Sequence, residues 1–363
     1  MTIPIRNLYY IFCYAWARFP KGDEVVVGED DCPDLPNLFA KLLIEATHRL
    51  LRRGLDRGYI EHVEEMAAPR GKLDVSRMIK EQTRRRCTAI CSYDELEHDV
   101  LHNQIIKATA GALISSDTLK ADFRHELRLI REQLSDVSNI RLTAGAFRRV
   151  RLSRDRYLYG MLMRLSEFVF HSVMPDEAGE SAKFADILVD EVRMSSVFEE
   201  FLRNFYSYEL DGYDVSKTQM TWGAEALTPG AAAILPIMET DIVLSSAKRT
   251  MIIDAKYYKE VLVGRAGFPK KIRSGHLYQL AAYMRRAAQL NSGKQIDGAL
   301  IYPTVGHDVS ADYKIFDNRV RVITIDLSRE WKDIHSALID VPVMPYGWLL
   351  DVSTDTSAEQ VTH

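Results

Sequence analysis

The 363-residue sequence has no apolar run long enough to span a membrane and no N-terminal segment of the signal-peptide type. Its four cysteines, Cys13, Cys32, Cys87 and Cys91, do not have the spacing of a zinc site, so we expect free thiols in a reducing compartment. These absences predict a cytoplasmic protein without a membrane anchor or a structural zinc ion.

The sequence also lacks motifs that define two large enzyme classes. No Gly-xxxx-Gly-Lys-Ser/Thr loop occurs, which excludes a P-loop NTPase, and no Gly-x-Ser-x-Gly elbow marks a serine hydrolase. The formal net charge is only −4, so the surface as a whole does not attract a polyanion. We therefore expect any nucleic-acid contact to be a local basic face that a partner reinforces.

What the sequence does contain is a pair of apolar strands with charged residues at their ends. Residues 242–244 and 251–253 are apolar and flank a polar turn, which predicts a β-hairpin. Asp241 opens the first strand, whereas Asp254 and Lys256 close the second. Because Asp254 and Lys256 are two residues apart, they lie on the same face of the strand.

Two carboxylates and an ammonium group at the ends of buried strands favour a divalent-cation site. Burying them together costs free energy unless they bind something or pair well. Asp241 and Asp254 have the hard oxygen ligands that Mg²⁺ prefers, and Lys256 can orient a nucleophile or stabilise a phosphorane-like transition state. Glu239 lies on the face of Asp241 and could add a ligand or a base. The alternative is a set of exposed ion pairs with little energetic value.

The surrounding segments resemble the PD-(D/E)xK nuclease superfamily, in which Asp241 is the first acid and Asp254-Ala255-Lys256 the D-x-K element. Gln279 and Tyr283 are four residues apart on a predicted helix, which places them on one face. The same Gln-xxx-Tyr pair follows the D-x-K strand in many of these nucleases. Glu199, on an upstream helix, matches the residue that supplies a further glutamate. Interface packing for Gln279 and Tyr283, and a solvated position for Glu199, remain the alternatives.

Motifs in order along most of the chain resemble the McrC family, the nuclease subunits of McrBC modification-dependent restriction systems. The matching segments are Ile3-Pro-Ile-Arg-Asn-Leu-Tyr-Tyr, Tyr14-Ala-Trp, Arg70-Gly-Lys-Leu-Asp, Tyr93-Asp-Glu, Asn103-Gln-Ile-Ile-Lys, Met238-Glu-Thr-Asp, Ile253-Asp-Ala-Lys-Tyr-Tyr, Leu277-Tyr-Gln-Leu and Leu300-Ile-Tyr-Pro. The resemblance implies a Mg²⁺-dependent endonuclease subunit that cuts double-stranded DNA, with Asp241 and Asp254 as metal ligands, Lys256 assisting the attacking water, Gln279 positioning the scissile region and Glu199 in support.

The resemblance also implies a partner. In the McrC family a separate AAA+ subunit, McrB, forms a ring, hydrolyses GTP and carries the domain that reads methylated cytosine. The N-terminal half of this chain is then expected to dock on such a ring and stimulate its GTPase. Arg84, Arg85 and Arg86, within a β-rich module, are the candidates for insertion into the ring's pore, with a solvated basic edge as the alternative. A dimer of nuclease domains that forms where two complexes meet on DNA is a further possible partner interaction.

A basic stretch follows the D-x-K strand. Residues 261–296 contain no acidic side chain, whereas Lys270, Lys271, Arg273 and Arg285 are basic. Such residues near a cut site would neutralise DNA phosphates and give salt-sensitive, sequence-independent affinity. The alternative is a solvated loop with the outer face of a helix.

Hydrophobic periodicity predicts an α+β protein with two domains and a tail. Residues 1–175 are predicted to form a helical and β-rich partner-docking domain, residues 176–345 a nuclease core with a mixed sheet between helices, and residues 346–363 a disordered tail. Helices are predicted at residues 38–53 (with Gly54 as the stop), 103–114, 119–134, 157–172, 195–209 and 276–288; strands at 60–67, 88–93, 215–222, 234–244 and 298–302; and two further strands and a helix from Tyr313 to Asp340.

These observations favour a nuclease subunit that an AAA+ GTPase recruits and activates. A regulatory subunit that retains a nuclease-like fold and only stimulates the GTPase of its partner is the second hypothesis. Retention of both aspartates and the lysine favours the enzyme, because a docking function alone does not need all three.

Overall fold

The computed structural model describes residues 3–16, 32–81, 83–153, 155–175, 182–184, 190–258, 262–263, 271–291, 293–305 and 308–343. The chain divides into two compact units, an N-terminal unit of Leu8–Asp190 and a C-terminal unit of Glu191–His363 together with Met1–Asn7. The boundary predicted from the sequence lies between residues 175 and 176. The predicted disordered tail, residues 346–363, lies outside the described residues.

The N-terminal part of the chain combines a helical core with a small antiparallel sheet. Its helices are α1 Ile5–Trp16, α2 Leu35–Arg53, α3 Val75–Lys80, α4 Leu101–Ile114, α5 Ala121–Gln133, α6 Ala144–Arg149 and α7 Tyr157–Ser172. Its strands are β1 Gly58–Met66, β2 Lys72–Leu73, β3 Ala89–Glu97, β4 Val173–Pro175 and β5 Ala182–Phe184, and a 3-10 turn spans Thr83–Arg86. The helices predicted at residues 38–53, 103–114, 119–134 and 157–172 are confirmed.

Helix α2 shows why the sequence forms these elements. Asp34 caps its first turn by accepting a hydrogen bond from the backbone N–H of Asn37. Gly54 ends the helix with a positive φ of 90°, a conformation that favours glycine, so the predicted stop is confirmed. Its apolar face packs into a cluster of aromatic rings in which Phe39 lies 5.6 Å from Phe168, measured between ring centroids.

The β-rich module is a three-stranded antiparallel sheet in the order β1-β3-β2. Strands β1 and β3 pair along their full length, with Gly58 opposite Glu97 and Met66 opposite Ala89. Both strands leave most of their side chains exposed or half-buried. We call the β1–β3 pair the arm; its exposed side chains include several carboxylates together with Tyr59, Val63 and Leu96.

The C-terminal unit alternates strands and helices. Its elements are α8 Glu191–Glu209, β6 Asp214–Ser216, β7 Gln219–Met220, α9 Ala231–Ile234, β8 Met238–Glu239, β9 Ile242–Ser245, β10 Arg249–Ala255, β11 Leu262–Val263, β12 Lys271–Ile272, α10 Ser274–Leu290, β13 Gln295–Thr304, β14 Ser310–Ile315, β15 Asn318–Asp326 and α11 Trp331–Asp340. The predicted helices at residues 195–209 and 276–288 and the final strands and helix are confirmed.

A six-stranded mixed sheet in the order β14-β15-β13-β10-β9-β6 organises this unit. Strands β10, β13 and β15 are parallel, and β9 pairs antiparallel with β10. Helix α10 packs on one face through a core that includes Ile252, Leu280 and Met284. Gly298 permits this close approach, because a Cβ atom there would lie 2.5 Å from the sulfur of Met284. The mixed sheet with its helices confirms the α+β class.

Two predicted strands are wrong in extent. The strand predicted at residues 234–244 is broken into the end of α9, β8 and β9, and that at residues 215–222 into β6 and β7. Pro236 has no backbone N–H to donate to a ladder, which explains part of the break. Thr240 lies between β8 and β9, and its N–H donates instead to the carbonyl oxygen of Thr218.

Among the described residues, no helix combines the length and the apolar character that crossing a membrane requires.

Candidate metal and nucleic-acid site

The ends of β9 and β10 bring the predicted acidic residues together. The antiparallel register pairs Ile253 with Ile242, so the next positions along, Asp254 and Asp241, lie opposite each other. A side-chain oxygen of Asp241 accepts a hydrogen bond of 3.0 Å from the N–H of Ala255. The predicted hairpin is therefore confirmed, and its register holds both carboxylates at one end of the sheet.

Asp254 is fully buried and is only partly neutralised. The ammonium group of Lys256 lies 2.9 Å from both carboxylate oxygens of Asp254, but only the contact with Oδ1 has hydrogen-bond geometry. Oδ2 is buried without a hydrogen-bond donor among the described residues. This oxygen loses its hydration and gains only the ionic contact with Lys256 in return, and a bound cation would add to that compensation.

Electrostatics at the site are dominated by burial and by like charges. Burial raises the pKa of Asp254 to about 7 against the opposing charge of Lys256, and the carboxylate of Asp241 contributes to the rise. Burial favours the neutral form of Lys256, but the negative charges of Asp254, Asp241 and Glu199 outweigh it and raise its pKa. The four groups thus form one electrostatic cluster.

Glu199 approaches the same cluster from α8. Burial raises the pKa of its carboxyl group, and the charge of Asp241 adds to the rise, whereas Lys217, Lys256 and Arg203 oppose it. The site therefore combines three carboxylates with one closely placed ammonium group. An additional positive charge would lower the free energy of all three ionised carboxylates.

Gln279 and Tyr283 tie α10 to this end of the sheet. The side-chain amide of Gln279 donates to the hydroxyl of Tyr283 at 2.9 Å, and that hydroxyl donates to the backbone carbonyl of Glu239 at 2.7 Å. The Glu239 side chain is exposed and lies 3.5 Å from Lys217. Glu239 thus contacts α10 through its backbone, and the chain of hydrogen bonds fixes the segment that leads into Asp241.

Sequence reasoning missed a second polar group beside the cluster. Nδ1 of His276, in the first turn of α10, lies 2.9 Å from the hydroxyl of Tyr302 on β13. The ring of His276 also lies 5.1 Å from that of Tyr258, and the guanidinium group of Arg273 lies 5.0 Å above Tyr258. Both His276 and Tyr302 belong to or adjoin the quoted motifs 277–280 and 300–303, which is the signal that could have found them.

Three of the four predicted DNA-binding residues are described by the structure, and they lie on different elements. Lys271 is exposed on β12, and Arg273 precedes α10 near Tyr258. Arg285 instead lines an apolar groove of 470 Å³ between α10 and the β14–β15 turn. Its neighbour Arg286 faces the other way and donates to the hydroxyl of Thr221 at 3.4 Å. Lys270 lies outside the described residues.

The predicted partner-binding arginines lie in the 3-10 turn between β2 and β3. Arg85 is exposed, and Arg86 donates two hydrogen bonds of 2.8 Å to the carboxylate of Glu65 on β1. For Arg84 only the backbone is described. The turn therefore presents one arginine that is held by the arm and one that is directed to solvent.

The cluster fits a hard divalent cation. Mg²⁺ in proteins takes one or two carboxylates and completes its shell with water and substrate phosphate oxygens. Asp241 and Asp254 supply such carboxylates, and the buried Oδ2 of Asp254 lacks another donor among the described residues. Asp241, Asp254 and, from α8, Glu199 are the residues that would hold the ion.

Comparison with known proteins first identifies the family to which the chain belongs. Residues 6–303 match the family described as McrBC 5-methylcytosine restriction system component. The chain therefore belongs to the McrBC family of restriction-system components, and the resemblance drawn from the motifs is confirmed.

A particular relative can then be named. The chain is 30% identical over 340 residues to the type IV methyl-directed restriction enzyme EcoKMcrBC of Escherichia coli (strain K12), a match that covers 94% of this chain and 97% of that protein.

Two solved structures match more distantly. One is a refined half-complex from a tetradecameric assembly of Thermococcus gammatolerans McrB AAA+ hexamers with bound McrC, with a TM-score of 0.49, 18% identity, and coverage of 93% of this chain and 76% of that chain. The other is the cryo-EM structure of the Thermococcus gammatolerans McrBC complex, with a TM-score of 0.41, 23% identity, and coverage of 58% of this chain and 60% of that chain.

Proposed function

We propose that this chain is the endonuclease subunit of a McrBC-type restriction system and hydrolyses phosphodiester bonds of double-stranded DNA with Mg²⁺. The observation that carries the proposal is the buried cluster at the ends of β9 and β10, in which Asp254 is incompletely neutralised. Membership of the McrBC family supports a role in restriction. The order of helix, mixed sheet and Gln-xxx-Tyr helix supports a PD-(D/E)xK core.

Each residue of the cluster has a role that follows from its position. Asp241 and Asp254 hold the metal ion, which when bound acidifies water and offsets charge on the scissile phosphate. Lys256, held at 2.9 Å from Asp254, is placed to orient the attacking water and to stabilise negative charge as it develops. Glu199, on α8, supplies the third carboxylate of the cluster. Gln279 orients the segment before Asp241 through Tyr283.

The proposal includes a partner. The sequence has no P-loop, so GTP hydrolysis in such a system requires another chain, an AAA+ GTPase ring of the McrB type. The arm and its arginine turn are the proposed contact with that ring, because they expose charged side chains from a rigid antiparallel ladder. Stimulation of the GTPase by this contact, and cutting by the C-terminal unit, are then separable activities.

The decisive variant is Asp254→Asn. With the partner, GTP and Mg²⁺, the wild-type chain is expected to cut plasmid DNA, and Asp254→Asn is expected to lose at least about 10³-fold in rate because a metal ligand is removed. The matched control is Asp317→Asn, whose carboxylate is 94% exposed in the β14–β15 turn and should leave cutting unchanged.

Stimulation of the partner's GTPase is measured in the same reactions. It should be equal for the wild type and for Asp254→Asn. Full cutting by Asp254→Asn would refute the catalytic assignment. If neither the wild type nor Asp254→Asn cuts DNA, while both stimulate GTP hydrolysis, the chain is the regulatory subunit instead.

A further inference from the structure

Beside the metal cluster lies a second group of residues whose chemistry is that of an anion site. We propose that Arg273 and His276 form a seat for a phosphate group of the DNA backbone, and that Tyr302 fixes which nitrogen of His276 donates to that phosphate. The inference rests on the proposed nuclease function, because it takes the DNA at the metal cluster as the source of the phosphate.

Tyr302 determines the tautomer of His276. Its side chain is fully buried, so its hydroxyl proton cannot be donated to bulk water. Among the residues that the structure describes, the acceptor within reach is Nδ1 of His276, at 2.9 Å. A hydroxyl that donates to Nδ1 leaves the ring proton on the other nitrogen, Nε2. Tyr302 is therefore a positioning residue. Its hydrogen bond to Nδ1 keeps the ring proton of His276 on Nε2, which is then a hydrogen-bond donor.

His276 is held in its neutral form. Burial, together with the positive charges of Lys256 and Arg273, lowers its pKa to about 4. Nε2 makes no hydrogen bond to the residues that the structure describes, and the ring is only half-buried. His276 thus has an uncharged N–H donor next to two cationic side chains. This arrangement favours the binding of an anion and disfavours the binding of a metal ion.

Arg273 adds the charge that the seat requires. Its guanidinium group lies over the ring of Tyr258, and no carboxylate in the described part of the chain pairs with it. Its Nε is buried and has no acceptor among those residues. The Arg273 side chain as a whole is half-buried, and phosphate oxygens match the planar donors of arginine.

The position of the seat indicates which phosphate it takes. The parallel register of β10 and β13 pairs Ala255 with Ile301, so Lys256 and Tyr302 occupy the next rung together. The Lys256 N–H continues this ladder by donating to the carbonyl oxygen of Ile301 at 2.9 Å. The seat is therefore one strand away from the metal cluster, where a DNA strand that places one phosphate on the metal would present a neighbouring phosphate.

The test measures duplex binding by the full chain in Ca²⁺, which occupies hard-cation sites, with fluorescence anisotropy of a short labelled duplex. His276→Ala is expected to weaken binding about tenfold, since a hydrogen bond to a charged group is lost. His276→Gln, which restores an N–H donor, should recover most of the affinity. Tyr302→Phe, which keeps the ring volume, should show a smaller loss of about two- to threefold.

Salt dependence separates the two members of the seat. Arg273→Gln should reduce the slope of log affinity against log salt by about one, because one phosphate contact by a cation is lost. His276→Ala should weaken binding without a change in slope, because His276 is neutral. His335→Ala is the matched histidine control, since His335 on α11 pairs with Glu209, and it should bind DNA like the wild type.

Two results would overturn the proposal. One is wild-type affinity in His276→Ala. The other is a loss in His276→Gln equal to that in His276→Ala while the melting temperature is that of the wild type, which would assign His276 a packing role. In cleavage reactions with the partner, the His276 variants should raise KM more than they lower kcat. If the wild type does not cut DNA but the binding results hold, the nuclease function fails and the phosphate seat stands.

Discussion

The arm and the β9–β10 hairpin are both antiparallel ladders that carry carboxylates, but the carboxylates differ in burial and in partners. In the arm, His62 lies 2.9 Å from Glu97, and Glu65 lies 2.8 Å from Arg86 of the adjoining 3-10 turn, with all four side chains partly exposed. At the end of β9–β10, Asp254 is fully buried and has one ammonium group for a cluster of three carboxylates. The carboxylates of the arm are exposed to solvent or paired with neighbouring residues such as Arg86, whereas the carboxylate of Asp254 is buried and only partly neutralised.

The difference shows that closeness of possible ligands is a poor guide to a metal site. His62, Glu95 and Glu97 have ligand atoms within 4.8 Å of one another. However, Glu95 pairs with Arg70 at 3.1 Å, and all three side chains reach solvent. Their charges are met by protein partners and water, so no cation is needed. The incompletely compensated burial of Asp254 is the stronger indication, although the other residues of the cluster are spread over two strands and a helix.

The largest expected difference in stability is between two buried aspartates. Asp297 is fully buried but is paired with Arg249, which also donates to the carbonyl oxygen of Pro342 at 2.8 Å. Asp297→Ala should lower the free energy of unfolding by about 3–5 kcal/mol, because it leaves a buried guanidinium group without its counter-ion. Urea denaturation of the metal-free protein measures the change.

Asp254→Asn is the comparison for that experiment. It removes a carboxylate whose ionised form burial disfavours, and Lys256 keeps the charges of Asp241 and Glu199 nearby. In the metal-free protein, Asp254→Asn should lower the free energy of unfolding far less than Asp297→Ala does. Equal losses would mean that Asp254, like Asp297, is a structural ion-pair residue.

A smaller effect is expected from the ion itself. Binding to the folded state alone stabilises a protein by about 2.7 kcal/mol when the free ligand is at one hundred times its dissociation constant. Mg²⁺ or Mn²⁺ should therefore raise the melting temperature of the wild type in a concentration-dependent manner. The rise should be absent in Asp241→Asn and Asp254→Asn and unchanged in Glu95→Gln, a carboxylate of the arm. A rise in melting temperature that is lost in Glu95→Gln and kept in Asp254→Asn would place the cation site in the arm instead.

The smallest effect on stability is expected in the arm. Arg86→Ala should leave the melting temperature close to that of the wild type, because its pair with Glu65 is exposed. It should nevertheless reduce stimulation of the partner's GTPase severalfold if the turn contacts the ring. Arg128→Ala, which changes an exposed arginine on α5, is the control. Equal stimulation by both variants would remove the arginine turn from the proposed contact.

Local patterns in the sequence were sufficient to predict that Asp241, Asp254 and Lys256 lie close together. The spacing of Asp254 and Lys256 places them on one strand face, and the spacing of Gln279 and Tyr283 places them on one helix face. Both inferences use only the periods of regular structure. The hairpin turn then sets which residue of β9 lies opposite Asp254, so Asp241 could be assigned as its neighbour.

Contacts between distant segments could not be predicted in this way. His276 and Tyr302 meet because α10 packs across β13, and no local period relates residues on a helix and the following strand. The same is true of the pair between Arg86 and Glu65. Which face of α10 carries Arg285 was also beyond the sequence, since a basic pair of adjacent residues gives no indication of which member faces the site.

Anomalous diffraction from crystals of the full chain soaked in Mn²⁺ tests the central claim most directly. The expected result is a manganese peak between the carboxylates of Asp241 and Asp254, close enough to both for direct coordination by their oxygen atoms. A peak only at His62, Glu95 and Glu97, or no peak near Asp254 at a Mn²⁺ concentration that saturates the thermal shift, would contradict it.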